Sequence, residues 1–200
     1  MVTLLLAVFV LTLPVASHAG VPTDRVKSAS DRVIAILKDP AFKGPAKEPL
    51  RRKKIREAVF EVFDFGEMAK RSLAIYWKER TPADKKEFTE LFTDLIERSY
   101  INRIENYSDE KISYDNESVD SDYAVVKTRF ITKRREEISV DYKLMLKDGN
   151  WLVYDVVIEN VSLVNNYRVQ FNKIIRSSSY AELLKKMKNK AETESFVSPK

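Results

Sequence analysis

Hydrophobic positions in the first half of the chain recur every three to four residues, the spacing of one face of an α-helix. Pro40 and the Gly44-Pro45 pair end the first of these periodic segments. The pattern predicts four helices: one from Thr23 and Asp24 to just before Pro40, one from about Pro49, a short one capped by Asp64, and a long one that follows residues 81–84. The first half of the chain is therefore expected to be helical.

The start of the long helix has the clearest local signal. Thr81 can serve as the N-cap, Pro82 occupies the first helical position, and Asp84 lies three residues after the cap. This arrangement is typical of a capping box, in which cap and acid satisfy each other's backbone N–H groups. The apolar stripe that follows runs from Phe88 to Ile104.

The second half of the chain changes to a period of two residues, which predicts β-strands. Four strands are expected, at residues 110–119, 122–132, 136–147 and 150–160. Asp148 and Gly149 favour a tight hairpin turn between the last two strands. After Ser162 the helical period returns, and a last helix is expected from about Tyr180.

Helices, a four-stranded meander and further helices together predict an α+β fold. We expect N-terminal and C-terminal helices to pack on one face of a curved antiparallel sheet. Such an arrangement commonly leaves an apolar cavity between the sheet and the helices, which can be filled by side chains or left open for a ligand.

The N-terminus has the pattern of a secretory signal peptide. Residues 2–15 are almost wholly apolar, and Ser17 and Ala19 put small residues at the two positions that a signal peptidase reads. We expect cleavage after about Ala19, which makes residues 1–19 a signal peptide. Residues 20–190 are then predicted to form one domain, and residues 191–200 a disordered tail.

Removal of the signal would leave a chain with little chemistry for catalysis or metal binding. The sequence contains no cysteine, and its one histidine, His18, lies in the signal. The mature chain would therefore have no thiolate nucleophile, no imidazole base and no zinc site of the usual ligands. No cofactor is expected.

The formal net charge is +5, and two basic runs stand out, at residues 51–56 and 185–190. An exported protein rarely meets nucleic acid, so we expect no nucleic-acid partner. Such runs can face anionic lipid headgroups or an acidic protein, or they can simply be the solvated faces of helices.

Three acidic side chains lie beside apolar neighbours: Asp64, Asp141 and Asp155. Paired carboxylates can perform acid–base chemistry when they meet in a cleft. The spacing does not require this, and Asp64 is better explained as a helix cap and Asp155 as a buried partner of a tyrosine or an arginine. We therefore expect no enzyme activity. Arg168 and Gln170 can bind a headgroup or another part of the fold.

Two sequence blocks resemble one protein family. The first is Phe63-Asp64-Phe65-x-x-Met68-Ala69-Lys70-Arg71-Ser72-Leu73, followed by Trp77, Thr81-Pro82, Glu87-Phe88 and Leu91-Phe92. The second is Trp151-x-Val153-Tyr154-Asp155-Val156-Val157-Ile158-Glu159-x-Val161-Ser162-Leu163-Val164-x-Asn166-Tyr167-Arg168-x-Gln170-Phe171, and Tyr180-x-x-Leu183 closes the pattern. This chain resembles the MlaC (toluene-tolerance) family over about residues 24–188, with Ala74 where the family often has glycine.

The resemblance implies a function. Members are soluble periplasmic carriers of the Mla phospholipid transport system, which concerns outer-membrane lipid asymmetry in Gram-negative bacteria. They hold acyl chains in an apolar pocket between sheet and helices, with phospholipid as cargo. Their partners are an outer-membrane lipoprotein/porin complex and an inner-membrane ABC transporter with an MCE-domain component. We expect a monomer, because no exposed apolar stripe is left over.

We predict that the pocket is lined by aromatic and branched aliphatic residues from both blocks. These are Phe63, Phe65, Met68, Leu73, Trp77, Phe92, Leu95, Trp151, Val153, Val157 and Val161. Glutamate in place of Val153 or Val157 is expected to prevent lipid retention with the fold intact. Two alternatives remain open: an envelope adaptor with a filled core that binds another protein, and an enzyme that uses a carboxylate on an apolar substrate.

Overall fold

The computed structural model describes residues 22–107, 110–189 and 196. The predicted signal peptide and nearly all of the predicted tail lie outside these residues. The helices are α1 (Pro22–Lys38), α2 (Glu48–Phe60), α3 (Phe65–Leu73), α4 (Pro82–Glu105), α5 (Leu163–Ser177) and α6 (Tyr180–Lys188). The strands are β1 (Lys111–Asp120), β2 (Tyr123–Ile131), β3 (Glu137–Lys147), β4 (Asn150–Ile158) and β5 (Val161–Ser162).

The strands form one antiparallel sheet in the order β1-β2-β3-β4-β5. The α+β fold class is confirmed, and the sheet has five strands where four were expected. The additional strand, β5, has two residues, too few to show alternation. Extra residues at Asp115 in β1 and Tyr154 in β4 shift the register of pairing, and such bulges bend a strand and increase its twist.

The local signals at the helix starts are confirmed. Thr81 and Asp84 form a reciprocal capping box at α4, and the Asp64 carboxylate accepts the N–H of Glu67 at the start of α3. The turn between β3 and β4 has positive φ at both Asp148 (51°) and Gly149 (74°). That is the backbone of a type I′ hairpin turn.

The helices form two groups around the sheet. Helix α1 packs on β1 and β2 and pairs with α2, whereas α3, α4, α5 and α6 pack on one another. Helix α5 also contacts β4, which links this second group to the sheet. Among the described residues, no helix combines the length and the apolar character needed to cross a membrane.

Candidate functional site

The apolar interior consists of two clusters. The helical cluster is built from α3, α4, α5 and α6, and its large side chains include Phe88, Phe92, Tyr167 and Phe171. Phe196 also belongs to it, with its ring 6.0 Å from that of Phe171. The sheet cluster is built from β2, β3 and β4 together with α1 and the residues after α2; it consists of Val26, Ala29, Val62, Ala124, Val126, Val140, Leu144, Trp151, Val153 and Val156.

Phe63 packs against both clusters. It lies in the segment between α2 and α3, and its ring centroid is 5.9 Å from that of Phe65 in the helical cluster. This position marks the boundary between sheet and helices, where the sequence predicts the pocket.

Nine of the eleven predicted lining residues belong to these clusters or pack against them. Five are buried in the helical cluster and two in the sheet cluster, and Trp77 and Phe63 are partly buried against them. In the helical cluster they are Phe65, Met68, Leu73, Phe92 and Leu95; in the sheet cluster they are Trp151 and Val153. Their role in holding lipid stays a prediction.

The other two predicted lining residues lie elsewhere. Val157 is half-buried near the end of β4, and the side chain of Val161 on β5 is 51% exposed. Both were included in the predicted lining as branched aliphatic residues of the second sequence block. Because the bulge at Tyr154 shifts the alternation halfway along the strand, period-two reasoning becomes unreliable beyond it.

A small apolar cavity of about 60 Å³ lies between α2 and α4. We call it the seam cavity; its lining residues are Ile55, Arg56, Val59, Phe60, Phe65, Thr93, Ile96, Glu97, Tyr100, Ile101 and Ile104. Phe65 also belongs to the helical cluster, so the cavity reaches the main core. Sequence reasoning placed the apolar face of α2 and the stripe of α4 in the core, but it did not predict that the two helices leave a gap.

Ion pairs connect the two sides of the seam cavity. Arg56 Nη1 of α2 lies 3.0 Å from Glu97 Oε2 of α4. Closer to the end of α4, Arg51 and Arg52 both pair with Glu105, at 2.7 and 2.8 Å. Much of the basic run at residues 51–56 is therefore engaged in holding α2 to α4.

The Glu105 carboxylate is largely buried, with 11% of its side chain exposed. Burial alone would raise its pKa, but hydrogen bonds from Arg52 and Arg51 outweigh this and hold the pKa of Glu105 below its usual range. The carboxylate is thus charged at neutral pH and paired with two guanidinium groups.

The second basic run is only partly within the described residues. Lys185 pairs with Glu182 on the same helix at 3.6 Å, and Lys188 lies 2.7 Å from Glu87 on α4. The pair from Lys188 ties α6 to α4, and both lysine side chains remain more than half exposed.

The buried acids have structural partners. Asp155 on β4 accepts hydrogen bonds from the Ser162 hydroxyl (2.7 Å) and the Val164 N–H (3.0 Å), and Lys143 lies 3.5 Å away. It therefore fixes the start of α5. The expected partner of Asp155 was a tyrosine or an arginine; the structure places a serine, a backbone amide and a lysine there.

Asp64 is similarly engaged. Burial opposes its ionisation, but the hydrogen bond from Lys147 (2.7 Å) and that from the backbone of Glu67 hold the pKa of Asp64 below its usual range. A carboxylate with a lowered pKa is a poor proton acceptor. Burial raises the pKa of the Tyr142 and Tyr167 hydroxyls, so both stay protonated at neutral pH.

Arg168 and Gln170 bind the fold itself. Arg168 Nε donates to the carbonyl of Arg71 (3.0 Å), and Gln170 Nε2 donates to the carbonyl of Phe196 (3.2 Å). Within residues 22–107, 110–189 and 196, no group of three or more histidine, cysteine or acidic side chains is arranged to hold a metal ion.

Comparison with known proteins decides the family. The sequence model described as MlaC protein matches residues 27–189. The chain belongs to the MlaC family. A curated MlaC relative is the intermembrane phospholipid transport system binding protein MlaC of Haemophilus influenzae, which is 21% identical over 194 residues, covering 94% of this chain and 90% of that protein.

A solved structure has the same fold. It is a phospholipid-binding protein from Ralstonia solanacearum, determined in complex with a phospholipid. The superposition has a TM-score of 0.76 at 21% identity and covers 88% of this chain and 99% of the other. The fold described above is therefore also the fold of that protein over nearly its whole length.

Proposed function

We propose that this protein is a periplasmic phospholipid carrier that holds acyl chains in an apolar pocket and carries lipid between membranes. The observation that supports this most is membership of the MlaC family over residues 27–189. The phospholipid bound by the Ralstonia protein of the same fold adds to it. Phospholipid is cargo in this proposal and not a substrate, and the protein is not an enzyme.

The physical basis is the cost of exposing acyl chains to water. Each CH₂ group transferred from an apolar surrounding into water costs about 0.8 kcal/mol, so a lipid does not cross an aqueous compartment unaided. An apolar interior such as that around Phe63, Phe65 and Val153 offsets this cost. The headgroup stays at the mouth, where it keeps its hydration and requires no buried counter-charge.

The interior must expand to accept cargo. Ligand pockets commonly have volumes of about 300–1,000 Å³, whereas the seam cavity has about 60 Å³. We place this expansion at the boundary between the helical and the sheet clusters, where Phe63 packs against both.

The resemblance to the family supports a proposal for the two ends of the transport route. We propose an outer-membrane lipoprotein/porin complex at one end and an inner-membrane ABC transporter with an MCE-domain component at the other. Export by a signal peptide cleaved after about Ala19 would place the monomeric carrier between them in the periplasm.

Native mass spectrometry of protein purified from a bacterial periplasm, followed by solvent extraction, tests this proposal. A phospholipid adduct at near-integral stoichiometry is expected. Protein that is lipid-free under gentle conditions, with no extractable phospholipid, would contradict the proposal. That result would favour an envelope adaptor with a filled core. The helical and sheet clusters would then be that core.

A further inference from the structure

The gap between α2 and α4 has an apolar interior and a charged mouth, which match the two parts of an amphiphile. We propose that the seam cavity is an acyl-chain site whose mouth binds the anionic phosphate of a phospholipid through Arg56 and Arg103. This inference rests on the proposed function, and it adds to it the place where a lipid engages the protein. Apart from Phe63 and Phe65, none of the side chains it uses belongs to the predicted lining.

The seam cavity is an unfilled apolar space between two helices. Its interior walls are the apolar side chains of α2 and α4, with Ile55 and Ile101 almost fully buried. The surface exposed inside this cavity of about 60 Å³ is apolar, so water there would find few hydrogen-bond partners. The side chains around it lack van der Waals contacts on one side, and a methylene chain would restore those contacts.

The two walls of the seam cavity, α2 and α4, can separate. Helix α2 is firmly packed on α1, whereas its backbone approaches that of α4 at few points. Arg56 and Glu97, the pair nearest the cavity, have side chains 50% and 27% exposed. Exposed ion pairs of this kind contribute little to stability, so breaking this pair at the mouth costs little free energy.

Arginine side chains stacked on aromatic rings lie at the mouth of the seam cavity. The Arg56 guanidinium lies over the Phe60 ring, 4.9 Å from its centroid, and that of Arg103 lies 5.5 Å from the Tyr100 centroid. Each wall thus presents an arginine stacked on an aromatic ring that lines the cavity. Glu97 is the acidic group at the mouth, and it pairs with Arg56. A phosphate can replace the Glu97 carboxylate as the anionic partner of Arg56, because a guanidinium group binds phosphate as readily as carboxylate.

A series of contacting aromatic rings leads from the mouth of the seam cavity to the core. Phe60 and Phe65 are in ring contact at 4.6 Å, and Phe65 is stacked on Phe63 at 5.9 Å. An acyl chain that displaced these three rings in turn would pass from the seam cavity to the boundary between the two clusters. The site therefore connects solvent with the interior in which the proposed pocket lies.

Photo-crosslinking tests the position of the site. Phe60→p-benzoylphenylalanine places the probe in the seam, and Tyr123→p-benzoylphenylalanine is the matched control, because Phe60 and Tyr123 are 41% and 48% exposed and Tyr123 lies on the sheet. Both proteins are incubated with vesicles of phosphatidylethanolamine and phosphatidylglycerol, re-purified and irradiated. The mass of each protein is then measured by mass spectrometry. Tyr100→p-benzoylphenylalanine replaces the first variant if that one does not fold.

A phospholipid adduct is expected from the seam probe and not from the control. Protein that retains extractable lipid but gives no seam adduct, or gives equal adducts at both positions, overturns the seam site and leaves the carrier function standing. Unmodified protein that retains no lipid overturns the carrier function and the seam site together.

A charge variant tests the mouth. Arg56→Gln is expected to lower the amount of phosphatidylglycerol retained about fivefold, the loss typical of one charge-assisted contact. Lys54→Gln is the matched control, because Lys54 is on the same helix and pairs with Glu57 at 2.9 Å, away from α4. Equal retention by the Arg56 and Lys54 variants would contradict phosphate binding by Arg56.

Discussion

Phe63 forms a parallel bridge with Val153 of β4. The Val153 N–H donates to the carbonyl of Val62 at 2.7 Å, and the Asp64 N–H donates to the carbonyl of Val153 at 2.9 Å. These bonds pair part of β4 with the segment that joins α2 to α3. They also hold the Phe63 ring where the helical and sheet clusters meet.

Truncation of Phe63 should therefore uncouple the two clusters. We expect Phe63→Ala to lower the free energy of unfolding by about 3 kcal/mol, the usual cost of removing a large aromatic side chain from a core. Urea denaturation measures this. The matched truncation Tyr123→Ala, at a side chain 48% exposed, should have less than half the effect. Equal losses would mean that Phe63 does not join the clusters.

Glutamate at two positions of β4 should have different consequences. Val153 is fully buried, so an unpaired carboxylate there would cost several kcal/mol, and we expect Val153→Glu to unfold the protein. Val157 is half-buried, and Val157→Glu should fold but retain less lipid. The structure thus does not support the sequence-based expectation that both variants keep the fold.

Circular dichroism and solvent extraction on the same preparations separate these effects. A folded Val157→Glu protein with undiminished phospholipid would remove Val157 from the pocket. A folded Val153→Glu protein would show that the sheet cluster can admit water or rearrange around a charge.

The elements with strong local signals could be predicted from the sequence. The capping box of Thr81 and Asp84 and the Asp148-Gly149 turn depend on neighbouring residues alone, and both are present. The arrangement of the interior depends on contacts between distant residues. The bulge at Tyr154 and the gap between α2 and α4 arise from tertiary packing, and no periodicity in the sequence indicates either.

Ala74 occupies a backbone conformation that suits glycine. It follows α3 with φ 53° and ψ −122°, a region in which a Cβ atom is strained by about 1–3 kcal/mol. We expect Ala74→Gly to raise the free energy of unfolding by about 1 kcal/mol, since relief of strain exceeds the added chain entropy. Thermal unfolding measures the change. Ala35→Gly, at an exposed position within α1, should instead destabilise by about 1 kcal/mol.

Glu105 should make stability depend on pH. The pKa of its carboxyl is lower in the folded protein than in the unfolded chain, so the unfolded state binds more protons as the pH falls. The stabilisation is complete above the unfolded value of about 4.3, and it is lost as pH decreases through the lower folded pKa. Glu105→Gln should cost about 2 kcal/mol at pH 7 and weaken the decline below pH 4.

Urea denaturation at a series of pH values checks this. Glu57→Gln is the control, because Glu57 pairs with Lys54 but its side chain is 46% exposed; solvent screens such a pair, so the substitution should change stability very little. If the two variants gave the same acid profile, the paired carboxylate of Glu105 would not be a source of the acid sensitivity.

Substitution of Asp155 distinguishes a structural role of this side chain from a catalytic one. Asp155→Ala would leave the Val164 N–H and the Ser162 hydroxyl without their acceptor, and the loss should be about 2 kcal/mol, since buried donors are then unpaired. Phospholipid extracted from the folded variant should be chemically the same as that from the unmodified protein. If the unmodified protein converted added phospholipid to a lyso form and Asp155→Ala did not, the acid would be catalytic. An equal loss of stability in Asp141→Ala, whose side chain is half-buried on β3, would show that the bonds to α5 are not what makes Asp155 important.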